Sequence, residues 1–182
     1  MPGLPPLAPL LTRRRILKLG LGVGGAALVL GGAGAWIFRL RPTAAGRAVL
    51  SVEELSFVDA LAEALFPEGN ALGLDVQRLE VGVKLDGYLA RFPPREQRLL
   101  RAVLTLVDQW PRISLSSARR FAELPVDDRV EVLRGFDESG RPERRGLTEL
   151  LRVVVGMSVF EDPQALAALG HRFGCPPIPQ GA

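Results

Sequence analysis

The sequence predicts an all-α fold, a bundle of five to six helices set behind an uncharged N-terminal run. Three observations predict it. From Ser51 onward apolar residues recur at helical spacing, as with Leu55, Val58, Ala62 and Leu65 at i, i+3, i+7 and i+10. Prolines punctuate the chain at Phe66-Pro67, Phe92-Pro93-Pro94, Pro125 and Pro163, where helices end or begin. The one β-branched run, Val153-Val154-Val155, would make a strand with nothing to pair with.

Each element follows in order. Ser51-Val52-Glu53-Glu54 reads as a capping box that opens the first helix, and Phe66-Pro67 closes it. After a Gly/Asn turn, Asp75 is placed to cap a second helix carrying Val76, Leu79, Val83 and Leu89. Pro94 suits the first turn of a third helix with Leu99, Leu100, Val103, Leu104, Leu106, Val107 and Trp110. That wide apolar arc predicts the third helix at the centre of the bundle, followed by a loop over 111–117. Pro125 opens a fourth helix with Val130, Leu133 and Phe136 inward, and residues 137–146 read as an exposed connection. A fifth helix from Leu147 to Phe160 presents Leu147, Leu150, Leu151, Val154 and Met157, and Pro163 starts a short last one that Gly170 closes.

Composition bounds the chemistry. At 182 residues the chain has room for one domain and a short leader. A hydrophobic share of 47% with 24% charged residues excludes both a disordered and a polytopic membrane protein. One cysteine, Cys175, excludes an internal disulfide and a cysteine cage, and one histidine, His171, excludes a His-rich metal site. The net charge of +3 is unevenly placed: residues 1–52 carry seven basic side chains and no acidic one, while the rest carry 16 against 20. That distribution predicts no positive stripe on the body and no nucleic-acid partner.

The leader carries an address. Thr12-Arg13-Arg14-Arg15-Ile16-Leu17-Lys18 precedes Leu19–Phe38, twenty residues without a charge, seven of them glycine. Basic residues ahead of such a run mark an export segment. The run closely resembles the twin-arginine translocation motif, with Arg13 and Arg14 as its pair and Ile16, Leu17 and Lys18 as its tail. The resemblance implies export of a folded protein by the twin-arginine (Tat) translocase, and a periplasmic location at the bacterial cytoplasmic membrane. Ala33 and Ala35 supply the two small residues a signal peptidase reads, which points to cleavage after Ala35. Against this, twenty residues at about 1.5 Å each span roughly 30 Å, enough to remain as a single membrane anchor, with Trp36 at the interface. The chain thus divides into a leader at 1–38, a Pro/Ala/Gly linker at 39–50, a helical domain at 51–171 and a Pro-rich tail at 172–182.

The body, from about Leu50 to His171, resembles the gluconate 2-dehydrogenase subunit 3 family. The resemblance rests on Leu50-Ser51-Val52-Glu53-Glu54, Ala64-Leu65-Phe66-Pro67, Asp86-Gly87-Tyr88-Leu89, Arg120-Phe121-Ala122-Glu123-Leu124-Pro125, Phe160-Glu161-Asp162-Pro163 and Leu169-Gly170-His171, taken in order. It implies a non-catalytic small subunit in a complex whose large glucose–methanol–choline-type subunit holds FAD and oxidises a sugar or alcohol. A cytochrome c subunit carrying haem often takes the electrons there. The resemblance also implies that the small subunit lends its Tat signal to the flavoprotein, which crosses the membrane folded.

Candidate chemistry within the chain is sparse. No residue is assigned a catalytic, cofactor-binding or metal-binding role. His171 reads as a helix-end or surface residue, and Cys175 lacks the Cys-x-x-Cys-His context of covalent haem. Gly20-Leu21-Gly22-Val23-Gly24-Gly25 has no preceding strand, so a dinucleotide fingerprint fails. Glu53-Glu54 and Asp127-Asp128 fall in first helical turns, where acidic residues favour the dipole. Two other functions stand beside the accessory subunit. One is a stand-alone Tat-exported or membrane-anchored helical protein with a binding or structural role; the other is a small hydrolase using two converging carboxylates.

Overall fold

The computed structural model describes residues 41–170. Six α-helices pack together: α1 Val52–Leu65, α2 Val81–Leu89, α3 Pro94–Ile113, α4 Val126–Asp137, α5 Pro142–Val159 and α6 Pro163–Ala168. Two 3₁₀ turns, Val76–Leu79 and Phe121–Glu123, stand before α2 and α4, and no strand occurs among the described residues.

The central helix is α1, not α3. It packs against α2, α3, α4 and α5, whereas α3 lies chiefly on α1 and the second 3₁₀ turn. Composition explains the exchange. Phe57, Val58, Ala60, Leu61, Ala62 and Ala64 are all buried, so α1 is enclosed over more than half its circumference, with alanines allowing close approach. The expected stripe holds only at Val58 and Ala62; Leu55 and Leu65 are half-buried. In α3 the apolar arc overstates burial, since Leu99 is exposed and Leu106 only half-buried.

Helix boundaries follow local chemistry. The capping box forms as its sequence dictates: Ser51 Oγ accepts the Glu54 amide at 3.2 Å and Glu54 Oε2 accepts the Ser51 amide at 2.7 Å. Phe66 leaves helical geometry ahead of Pro67. Asn70 organises the following turn, its amide donating to Pro67 O and Leu74 O while Oδ1 accepts from Leu72 and Leu74. The expected second helix is split. Glu80 takes a left-handed φ of 48° that ends the 3₁₀ turn, and Asp75 pairs with Arg78 instead of capping. Helix α3 runs through Pro111 to Ile113, because a proline one turn from the end forfeits a single helical bond. The Ser114 hydroxyl then bonds Trp110 O at 2.9 Å, and the Ser116 and Ser117 amides bond Pro111 O. Helices α4 and α5 each extend into the expected 137–146 connection, leaving only a short turn at Gly140. Asp162 caps α6 through the Gln164 amide at 2.8 Å.

The face of α5 also departs from expectation. Leu151, Val155 and Val159 are fully buried with Thr148 and Ser158, while Leu150, Val153 and Met157 face solvent at 36%, 52% and 56%. Aliphatic residues occupy both sides of this helix, so periodicity alone cannot select the inward one. Three T-shaped aromatic pairs join the elements: Phe57–Phe121 at 5.3 Å, Trp110–Phe136 at 5.1 Å and Phe66–Phe160 at 6.0 Å.

Candidate functional site

Three carboxylates are buried in the body, and each is held by its own partners. Asp86 lies on the inward side of α2, one turn from Gly82 and beside Leu85 and Leu89. Its Oδ1 accepts the amides of Val49 at 2.8 Å and Leu50 at 2.7 Å, and its Oδ2 accepts that of Ala48 at 2.8 Å. Burial pushes the carboxyl up, but the three amides and the Arg47 guanidinium outweigh it and hold Asp86 below the ordinary 3.8. Residues 48–50, the end of the expected linker, are thereby fastened to the body, with Leu50 fully buried.

Glu54 supports the same segment. Besides closing the capping box it accepts Arg101 Nε at 3.0 Å, and Arg101 Nη2 donates to Arg41 O at 2.5 Å. Glu53, its neighbour, pairs with Arg41. Asp108 on α3 anchors the second 3₁₀ turn, taking the Ala122 amide at 3.2 Å and Arg120 Nη1 at 3.3 Å. Here burial prevails, and the Asp108 carboxyl sits above 3.8 despite the Ala122 amide and Arg120. These groups tie loops to helices, and their lone pairs are spent on amides and guanidiniums. Asp127 and Asp128 are exposed in the first turn of α4.

A depression of about 340 Å³ lies between α1, α4 and α5, lined by Ala64, Leu65, Val130, Leu133, Arg134, Asp137 and Arg152. Its charged groups pair with acids, Arg152 with Asp137 at 2.5 Å and Arg134 with Glu131. No group of three or more His, Cys, Asp or Glu among the described residues is arranged to hold a metal. Nor is any helix among them long and apolar enough to cross a membrane.

Two surfaces remain. One is the apolar stripe Leu150, Val153 and Met157 along α5, at i, i+3 and i+7. The other corrects the expectation that the body carries no positive stripe. Residues 91–101 hold four arginines against Glu96 alone, and Arg91, Arg95 and Arg98 are exposed. Summing charge over the body conceals this face, because most acidic residues lie elsewhere along the chain.

Arg13, Arg14, Ile16, Leu17, Lys18, Ala33, Ala35, Trp36, His171 and Cys175 lie outside the described residues. Of the buried carboxylates only Glu54 was read from the sequence, as the acid of the capping box; its Arg101 partner and the clamps of Asp86 and Asp108 escaped that reading, although a signal existed. Glu54, Asp86 and Asp108 each fall on the apolar stripe of their helix, where an acid demands a dedicated partner. No family model, curated protein or solved structure matches this chain.

Proposed function

We propose that this chain is a non-catalytic accessory subunit of a periplasmic, FAD-dependent sugar or alcohol dehydrogenase, binding the flavoprotein and lending it a Tat signal. The observation that carries the reading is the union of a twin-arginine leader with a body whose family-like segments occur in order. Several of those segments build the framework: Ser51 and Glu54 form the capping box, Asp86 clamps residues 48–50, Phe121 fills the core and Asp162 caps α6. A resemblance carried by framework residues leaves the surface to define the partner. The α5 stripe of Leu150, Val153 and Met157 offers an apolar contact for such a partner. Because FAD is inserted in the cytoplasm, its subunit must cross folded, and a signal-bearing partner provides the route. The twin-arginine reading also places the body at the periplasmic face of the cytoplasmic membrane.

Two results are expected. Arg13→Lys with Arg14→Lys abolishes periplasmic accumulation of a co-expressed FAD protein, read by fractionation and flavin fluorescence. Normal flavoprotein export in that variant sinks the escort role. Val153→Glu with Met157→Glu, at exposed positions, changes stability by no more than about 0.5 kcal/mol each yet removes the large protein from the purified complex. A chain that purifies from detergent extracts as a lone monomer favours the stand-alone anchored protein instead.

A further inference from the structure

The basic N-terminal half of α3 stands where the chain enters the body from its leader. Arg101 Nη2 donates to the carbonyl of Arg41, and Glu54 holds Arg101 in place from the other side. The path of the chain is therefore set at Arg41. By sequence, the uncharged run ends at Phe38, three residues earlier. Three extended residues reach at most about 11 Å. If the run occupies a bilayer, Arg41 lies within roughly one Debye length of the lipid surface, and α3 leads from its Arg101 contact to Arg98 and Arg95 within two helical turns.

The surface at that point suits such a neighbour. Arg95 and Arg98 project from the solvent side of α3 with Leu99 beside them, and Arg91 and Phe92 precede the helix. Phe92 is 51% exposed. Among the described residues Arg91, Arg95 and Arg98 make no ion pair, unlike Arg101, Arg120 and Arg129 elsewhere in the body. Exposed guanidiniums with an exposed aromatic ring are the chemistry of an interface between lipid phosphates and acyl chains.

We propose that this face, Arg91, Phe92, Arg95, Arg98 and Leu99, docks on an anionic bilayer surface, so that the leader and α3 together orient the body on the membrane. The inference rests on membrane insertion of residues 19–38 and is independent of any flavoprotein. Its partner is the phospholipid headgroup layer, met through phosphate oxygens, with Phe92 entering the boundary.

The test uses the full chain with Cys175→Ser, reconstituted in phosphatidylcholine vesicles with or without phosphatidylglycerol. An environment-sensitive fluorophore is placed at Phe92→Cys or, as a control beyond the far end of α3, at Ala118→Cys. A neutral aqueous quencher is expected to reach position 92 much less when phosphatidylglycerol is present, with position 118 unchanged. Arg95→Glu with Arg98→Glu is expected to shift the docked-to-free ratio by more than about tenfold toward free. Equal quenching at both positions overturns the proposal, as does shielding that ignores lipid charge. Shielding of position 92 by a co-purified protein and not by vesicles also overturns it. The flavoprotein export assay is read separately, so failure of either idea leaves the other standing.

Discussion

Asp86→Ala is expected to destabilise the protein by about 3–5 kcal/mol, because both ways of absorbing the change are costly. If residues 48–50 stay in place, the buried amides of Val49 and Leu50 and the partly buried amide of Ala48 lose their acceptor. If the segment detaches, Leu50 and Val49 lose their burial, worth about 1.5–3 kcal/mol for each fully buried side chain. Asp86→Asn is the milder change. Its Oδ1 can still accept from Val49 and Leu50, but its amide group opposes the Ala48 N–H, donor against donor. Urea titration measures the loss, and hydrogen exchange at 48–50 tells detachment from strained retention. A loss below about 1 kcal/mol for Asp86→Ala would show that the clamp is not needed.

The same carboxylate sets a pH dependence with a definite sign. In the folded body Asp86 sits below 3.8, so it releases its proton more readily than in the unfolded chain. Its contribution is fully present above pH 3.8 and disappears as pH falls through the lower folded value. Asp108 acts in the opposite sense. Its folded value lies above 3.8, so protonating it on the way down toward that pH adds stability. Urea midpoints followed from neutral pH into acid are expected to show the Asp86 loss below 3.8, flattened in Asp86→Asn. The gain above 3.8 is expected to shrink in Asp108→Asn, leaving the part from Asp59, whose carboxyl is also raised above 3.8 by burial.

Phe57→Ala is the second large effect, expected at about 3–5 kcal/mol. Phe57 is fully buried on α1 and meets Phe121 edge-to-face at 5.3 Å, joining the central helix to the turn ahead of α4. Removing the ring leaves a cavity that neighbouring helices cannot close without moving one another. Natural domains are stable by only about 5–15 kcal/mol, so the variant should be close to unfolding at physiological temperature. Thermal melts followed by circular dichroism check it, with Phe92→Ala as the exposed comparison expected within about 0.5 kcal/mol of the parent. If the two changes cost the same, α1 is not the centre of the core.

Much of this architecture is written in short-range chemistry. The capping box at Ser51, the stop at Phe66-Pro67, the Asn70 turn and the starts at Pro94, Pro125 and Pro163 were all legible, since each depends on residues within a few positions. The inward face of α5 was not legible, because Leu150, Val153 and Met157 are as apolar as Leu151, Val155 and Val159. Helix α3 looked central because it is long and rich in leucine, yet helix α1, with more alanine, is the one its neighbours surround. The candidate surfaces lay hidden for related reasons. A charge sum over the body erases the arginine cluster at 91–101, and the Arg41–Arg101 contact joins residues sixty positions apart.

By itself, then, the amino-acid sequence determined the helical class and most helix ends. Backbone hydrogen bonding, caps and proline geometry act locally and need no knowledge of the rest of the chain. Only the tertiary structure decided which helix lies at the centre, which side of α5 faces water, and that residues 41–50 are bound to the body. Those outcomes depend on how side chains from distant segments fill a shared volume and satisfy each other's buried charges, and no local pattern encodes that sum.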